Sequence, residues 1–145
     1  MTDQEWFKKF VASSDSLFMK EHPIVYFCAE YALDDSLPLY AGGLGILAGD
    51  ILREAAEQDL PFIAVGLYYH EGFLLRNSGR ISPTNLTPVV DKQNNRIIIT
   101  IPIQEGFVSV QAWSLQMGSV RVYLLDTYLP QNTEENKRIT DQLYG

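Results

Sequence analysis

A glycine turn set between an apolar run and an amphipathic pattern constrains this chain more than any other feature. It reads Tyr40-Ala41-Gly42-Gly43-Leu44-Gly45. Glycine has no Cβ, so the backbone can bend sharply there and bring its N–H groups close to a ligand oxygen. The helix that follows adds its own unpaired N–H groups and the positive end of its dipole. Such a junction can face a phosphate or a sugar hydroxyl with no charged side chain. The same pattern also serves as a tight strand-to-helix turn that binds nothing, so the surroundings have to decide between the two.

The helix is predicted from spacing. Leu44, Leu47, Ala48, Ile51, Leu52 and Ala55 recur as one helical face, with Arg53, Glu54 and Glu57 on the other. Two apolar runs flank it, over residues 24–28 and 62–67. They suit parallel strands buried on both faces in a layered α/β domain, joined by a right-handed crossover.

Upstream, Trp6, Phe7, Phe10, Val11 and Phe18 predict one short leading helix over residues 4–19. Downstream, residues 76–95 have loop chemistry, with Asn77-Ser78-Gly79, Pro83, Pro88 and Asn94-Asn95. Residues 96–103, 107–116 and 120–125 read as strands, the last two forming a hairpin around Met117-Gly118-Ser119. Asn132 with Glu135 three residues on reads as a capping box opening a helix over residues 133–143. A β-rich addition therefore follows a βαβ unit.

Composition removes several classes of function. With 145 residues, 46% hydrophobic and 20% charged, the chain can bury a core. A net charge of -7 without a Lys/Arg cluster argues against nucleic acid or an anionic membrane as partner. Cys28 is the one cysteine, which excludes an internal disulfide and a cysteine-rich metal site and leaves packing as its role. The first twenty residues lack the apolar segment of a signal peptide or a membrane span, which reads as a cytoplasmic chain. On that reading the Asn85-Leu86-Thr87 sequon is chance.

The candidate chemical groups are few. Glu30 and Asp34 could form a carboxylate pair for acid/base work on a glycosidic bond, or be loop charges and caps. His22 and His70 have no second ligand at metal spacing, so no metal site is expected and hydrogen bonding is their default role. Tyr26, Tyr31, Tyr40, Tyr68 and Tyr69 gather near the strand ends, where they suit either sugar stacking or the core. The glycines do not fit the dinucleotide G-x-G-x-x-G fingerprint, and no Lys-Ser or Lys-Thr pair follows as in a P-loop.

With these residues in view, the chain resembles the amino-terminal part of an α-glucan (glycogen, starch or maltodextrin) phosphorylase of the shorter bacterial and archaeal branch. Tyr26-Phe27-Cys28-Ala29-Glu30-Tyr31 is similar to that family's Y-F-S-x-E-[FY] strand end. Residues 36–50 resemble its S-L-P-x-Y-[SA]-G-G-L-G-x-L-A-G-D run, and Leu60-Pro61, Val65-Gly66, Tyr69 and Gly72 follow its next pattern. Residues 138–145 resemble a segment after which family members continue for several hundred residues.

The resemblance implies a partial, Rossmann-like, three-layer amino-terminal domain of a GT-B glycosyltransferase over residues 24–145, behind a leading extension at residues 1–23. It implies phosphorolysis of α-1,4-glucan to glucose 1-phosphate in the complete enzyme. Gly42, Gly43, Leu44, Gly45 and Glu30 would line the substrate and phosphate cleft. Pyridoxal phosphate would belong to the complete enzyme, its lysine lying in a second domain beyond this chain. None of Lys8, Lys9, Lys20, Lys92 or Lys137 sits in a matching motif, so no bound cofactor and no catalytic residue are expected in the chain alone. Ala41, Leu74 and residues 76–95 depart from the family pattern. The expected partners are glucan, phosphate, the second domain and a further copy of the chain through exposed apolar surface. Two alternatives stay open: the amino-terminal domain of a glycogen or starch synthase, although the lysine that such a turn carries is replaced by Tyr40-Ala41, or a non-catalytic glucan-binding module.

Overall fold

The computed structural model describes residues 2–34, 37, 39–71, 86–104 and 106–144. Two helices lead the chain, α1 (Asp3–Val11) and α2 (Ser14–Glu21), where the sequence pattern predicts one. The break has a local cause. Thr2 opens α1 through a capping box with Glu5, and at its far end the Ser13 hydroxyl donates to the Phe10 carbonyl at 2.6 Å. A serine that bonds backbone nearby competes with the helical ladder.

The strands β1 (Ile24–Phe27), β2 (Phe62–Leu67), β3 (Thr87–Pro88), β4 (Ile98–Ile103), β5 (Gly106–Met117) and β6 (Val120–Asp126) form one mixed sheet. Its order is β1-β2-β6-β5-β3, with β4 also paired to β5. The three strands β1, β2 and β6 are parallel, in the register Ile24 opposite Phe62 and Ile63 opposite Arg121. β5 returns antiparallel to β6 across Gly118, whose φ of +55° suits a residue without Cβ.

Helix α3 (Gly43–Glu57) joins β1 to β2 and buries Gly45, Ala48, Gly49, Leu52 and Ala55. Ala48, Leu52 and Ala55 join Ala64, Val120, Val122 and Leu124 in the core. Its buried stripe is rotated from the one the spacing predicts, because two glycines join it and three large residues leave it: Leu44, Leu47 and Ile51 are exposed. Small residues on the inner face let the helix backbone approach the segment after β1, so the bulky apolar side chains end up outside.

Burial on both faces of the parallel strands holds for one face only. Side chains alternate along a strand. Tyr26, Ala64, Tyr68, Val122 and Leu124 belong to the core under α3, whereas Val25 and Phe27 are exposed, and Ile63, Val65, Leu67 and Leu125 remain half-buried. Phe27, Val65, Leu67 and Leu125 line one shallow apolar depression there.

Past β6 the expected helix over residues 133–143 is a single turn, α4 (Glu134–Lys137), followed by a 3-10 turn at Arg138–Thr140. Its cap is Thr133, which accepts from the Asn136 amide at 3.2 Å. Asn132 is engaged elsewhere. Its side chain accepts from the Ser109 amide at 2.9 Å and donates to the Ser109 and Thr127 carbonyls at 2.7 Å each. That amide acts as a missing strand partner for β5 where β6 has ended.

Candidate functional site

The glycine turn lies at the edge of the sheet where β1, β2 and β6 end, which is where open α/β sheets place their ligands. Chain geometry brings it there: the Tyr31 amide donates to the Leu39 carbonyl at 3.1 Å, and the Ala32 amide to the Gly45 carbonyl at 2.9 Å. The segment after β1 is thereby laced to the start of α3. Gly42 is the helix N-cap and offers no side chain for that duty.

Glu30 supplies the cap from outside the helix. Its carboxylate is 2% exposed, and Oε2 accepts from the Ala41 amide at 2.9 Å and the Gly42 amide at 3.3 Å. Oε1 accepts from the Tyr144 hydroxyl, 114 residues further along the chain. Burial pushes the carboxyl upward, but the hydrogen bonds from Tyr144 and from the Ala41, Gly42 and Gly45 amides outweigh it and hold the group below the usual carboxylate range. A negative charge at the amino end of α3 also matches the helix dipole. Space around Gly45 is filled as well: a Cβ there would meet Tyr40 Cβ at 2.3 Å and Glu30 Oε2 at 3.2 Å. An added Cβ at Gly42 or Gly43 would meet nothing within 4 Å, and a separate pocket of about 310 Å³ is lined by Ala32, Leu33, Asp34, Tyr40 and Arg53.

A second polar cluster lies at the same edge, on β2 and β6. Asp126 ends β6 with 1% of its surface exposed. Its Oδ1 lies 2.8 Å from His70 Nε2 and accepts the Tyr128 amide at 2.8 Å. Its Oδ2 accepts from Gln111 Nε2 at 2.8 Å and Trp113 Nε1 at 2.9 Å. Burial works against the charge, yet bonds from His70, Trp113 and the Tyr128 amide hold the carboxyl down at about 2. His70 is thus the hydrogen-bonded histidine of the default reading. The far end of the relay is Arg96, which bonds Gln111 and sits 4.8 Å over the Trp113 ring.

The residues read from the sequence part company here. Gly42, Gly43, Leu44, Gly45 and Glu30 come together; Asp34 is exposed in an isolated bridge with Leu37 rather than facing Glu30's amide partners. The tyrosines resolve mostly toward the core: Tyr31, Tyr68 and Tyr69 are buried, with Tyr31 donating to the Tyr26 carbonyl at 2.7 Å and Tyr69 to the Ala29 carbonyl at 3.0 Å. His22 stacks on Phe18. Cys28 is half-buried against the core. Among the described residues no group of three or more His, Cys, Asp or Glu side chains could hold a metal ion, and no helix is long and apolar enough to cross a membrane. Asp35, Ser36, Pro38, Gly72, Leu74 and Asn85, with most of the polar stretch from residue 76, lie outside the described residues. Asp126, Gln111, Trp113 and Tyr144 were not foreseen; the one trace in the sequence is an acid closing a mostly apolar strand.

The chain matches no family model. Individual relatives do match. It is 35% identical to a maltodextrin phosphorylase of Thermococcus litoralis over 137 residues, covering 86% of this chain and 16% of the relative. It is 36% identical to a glycogen phosphorylase of Mycobacterium tuberculosis over 135 residues, covering 84% and 16%. The chain belongs to the α-glucan phosphorylase family. A glycogen phosphorylase of Aquifex aeolicus is 31% identical, over 94% of this chain and 23% of its own length. This phosphorylase-family chain therefore spans a minor part of the relatives it matches. The matches cover most of it, so sheet, turn and Asp126 cluster all belong to one stretch of phosphorylase sequence.

Proposed function

We propose that the chain is the amino-terminal segment of a short-branch α-glucan phosphorylase, folded as a partial Rossmann-like domain of a GT-B glycosyltransferase. In the complete enzyme it would contribute one wall of a cleft in which inorganic phosphate cleaves an α-1,4-glucan to glucose 1-phosphate. The observation that carries this reading is the Glu30-braced turn, placed at the ends of the parallel strands with the Gly43 and Leu44 amides meeting no acceptor among the described residues. Two such N–H groups can bind a phosphate or hydroxyl oxygen.

Members of the family use pyridoxal phosphate, held through a lysine. The lysines present do not fit that group. Lys8, Lys9, Lys20 and Lys92 are exposed on the leading helices and a surface turn, and Lys137 pairs with Glu134 at 2.6 Å. The chain by itself is expected to bind without turning over. It would hold the sugar and phosphate oxygens by backbone donors while other parts of the polypeptide supply the chemistry.

The test combines an assay with a titration. Maltodextrin and phosphate incubated with the chain should release no glucose 1-phosphate, and maltotriose or phosphate should shift the Gly43 and Leu44 amide resonances. Turnover would overturn the inactivity of the segment; silence at both amides would overturn the ligand-facing role of the turn. A response to maltotriose with none to phosphate would favour the glucan-binding module.

A further inference from the structure

Among the described residues Glu30 is the fully buried acid next to the turn, and both its oxygens accept from the protein. Oε2 takes the Ala41 and Gly42 amides, and Oε1 takes the Tyr144 hydroxyl. A phosphate oxygen approaching the turn is itself an acceptor and gains nothing from a carboxylate, and a sugar hydroxyl that could donate to one would have to compete with the Ala41, Gly42 and Tyr144 donors already bound there. The amides that bond Glu30 are Ala41 and Gly42 just before the helix and Gly45 within its first turn, whereas the two between them, Gly43 and Leu44, stay open on a side where an added Cβ at Gly43 would touch nothing within 4 Å.

We propose that Glu30 is a positioning residue: it fixes the backbone of the glycine turn and so selects Gly43 and Leu44 as the donors left for a ligand. The inference rests on the reading of the turn as ligand-facing, and it moves Glu30 from the set of groups that touch substrate to the scaffold behind them. Two features make the brace specific. Gly42, as N-cap, has no side chain with which to satisfy its neighbours, and Gly45 leaves no room for a larger residue between Glu30 and Tyr40. A glutamine fits the same geometry, since its carbonyl oxygen accepts from the two amides and its NH₂ can donate to the Tyr144 oxygen. An alanine removes the acceptor and leaves buried donors unpaired.

The experiment compares the chain with Glu30→Gln and Glu30→Ala by amide hydrogen exchange and by titration with maltotriose and, separately, inorganic phosphate. In Glu30→Ala the Ala41 and Gly42 amides should exchange at least tenfold faster, while Ala64 and Val122 in the sheet keep their protection. In Glu30→Gln all four should stay within about twofold of the parent. The response of the Gly43 and Leu44 amides to whichever probe binds the parent should survive in Glu30→Gln and weaken at least tenfold in Glu30→Ala. Loss of that response in Glu30→Gln, with Ala41 and Gly42 still protected, would show that the charge itself serves the ligand and would overturn the proposal. Unchanged exchange at Ala41 and Gly42 in Glu30→Ala would overturn it too. Should Glu30→Ala lose protection throughout the sheet, Glu30→Gln alone decides, because only a brace is rescued by the uncharged isostere. If neither probe shifts the parent, the ligand-facing reading fails while the exchange data still decide whether Glu30 sets the turn.

Discussion

Gly49 lies against the backbone of Ala32 so closely that a Cβ built on it would stand 2.3 Å from the Ala32 carbonyl oxygen. The same oxygen accepts from Arg53 one turn later, at 2.7 Å. Helix α3 is therefore seated on the segment after β1 by backbone contact. Gly49→Ala would be worth about 1 kcal/mol of added stability on helix propensity alone. Here the overlap dominates, and the substitution should instead destabilise by at least about 2 kcal/mol. Urea denaturation followed by far-UV circular dichroism checks the sign, and a raised midpoint would refute the close seating.

Asn132 gives a second test, since it stands in for a strand. Asn132→Ala leaves the Ser109 amide and carbonyl without partners, while the Thr127 carbonyl keeps the Leu129 amide, and should cost roughly 2 kcal/mol. Asn132→Asp should cost more, because it sets an acceptor-only group against the Ser109 and Thr127 carbonyls. Equal midpoints for the two variants in thermal denaturation at neutral pH would contradict the assignment of the amide nitrogen.

The parts of this fold that were legible in the sequence are those with local causes. The apolar runs of β1 and β2, the turn and the hairpin at Gly118 announce themselves in their own residues. The rotation of α3 did not, because Gly45 and Gly49 are buried by a neighbour's backbone and carry no hydrophobic signal. Nor did the loss of helix after residue 137, where the apparent cap Asn132 is bound to a strand 23 residues away. The site divides in the same way. Gly42 to Gly45 and Glu30 could be found by pattern, whereas the contacts of Glu30 with Tyr144 and of His70 with Asp126 join residues 114 and 56 apart.

Asp126 makes stability depend on acid. Its carboxyl is held at about 2 in the folded chain, against an ordinary value of 3.8. A depressed folded value contributes stability that is complete above about pH 4 and disappears as pH falls through about 2. At 1.36 kcal/mol per unit the contribution is about 2 kcal/mol. Urea midpoints at pH 6, 4 and 2 should fall most steeply over the last interval. Asp126→Asn should be less stable at pH 6 by roughly 3 kcal/mol, since its NH₂ opposes donors from Gln111 and Trp113. The difference between variant and parent should narrow by pH 2, and a constant gap across the range would place the acid sensitivity elsewhere.

The uncovered face of β1 and β2 should make the chain adhere to itself. Phe27 is 72% exposed and Val25, two residues earlier on the same strand, 47%, and Phe27 shares an apolar depression with Val65, Leu67 and Leu125 on strands whose other face is packed. Parallel strands are ordinarily covered on both sides, and apolar patches of this kind favour association. Phe27 contributes little to the folded chain, so Phe27→Ser should alter the unfolding free energy by no more than about 0.5 kcal/mol. It should nevertheless reduce concentration-dependent association in sedimentation velocity and lower the fluorescence of a bound apolar dye. Leu44→Ser, on the exposed stripe of α3 at 50% exposure, separates the two surfaces. If it suppresses association and Phe27→Ser does not, the adhesive surface is the helix rather than the sheet. A parent chain that stays monomeric at every concentration would show that neither face draws a second copy.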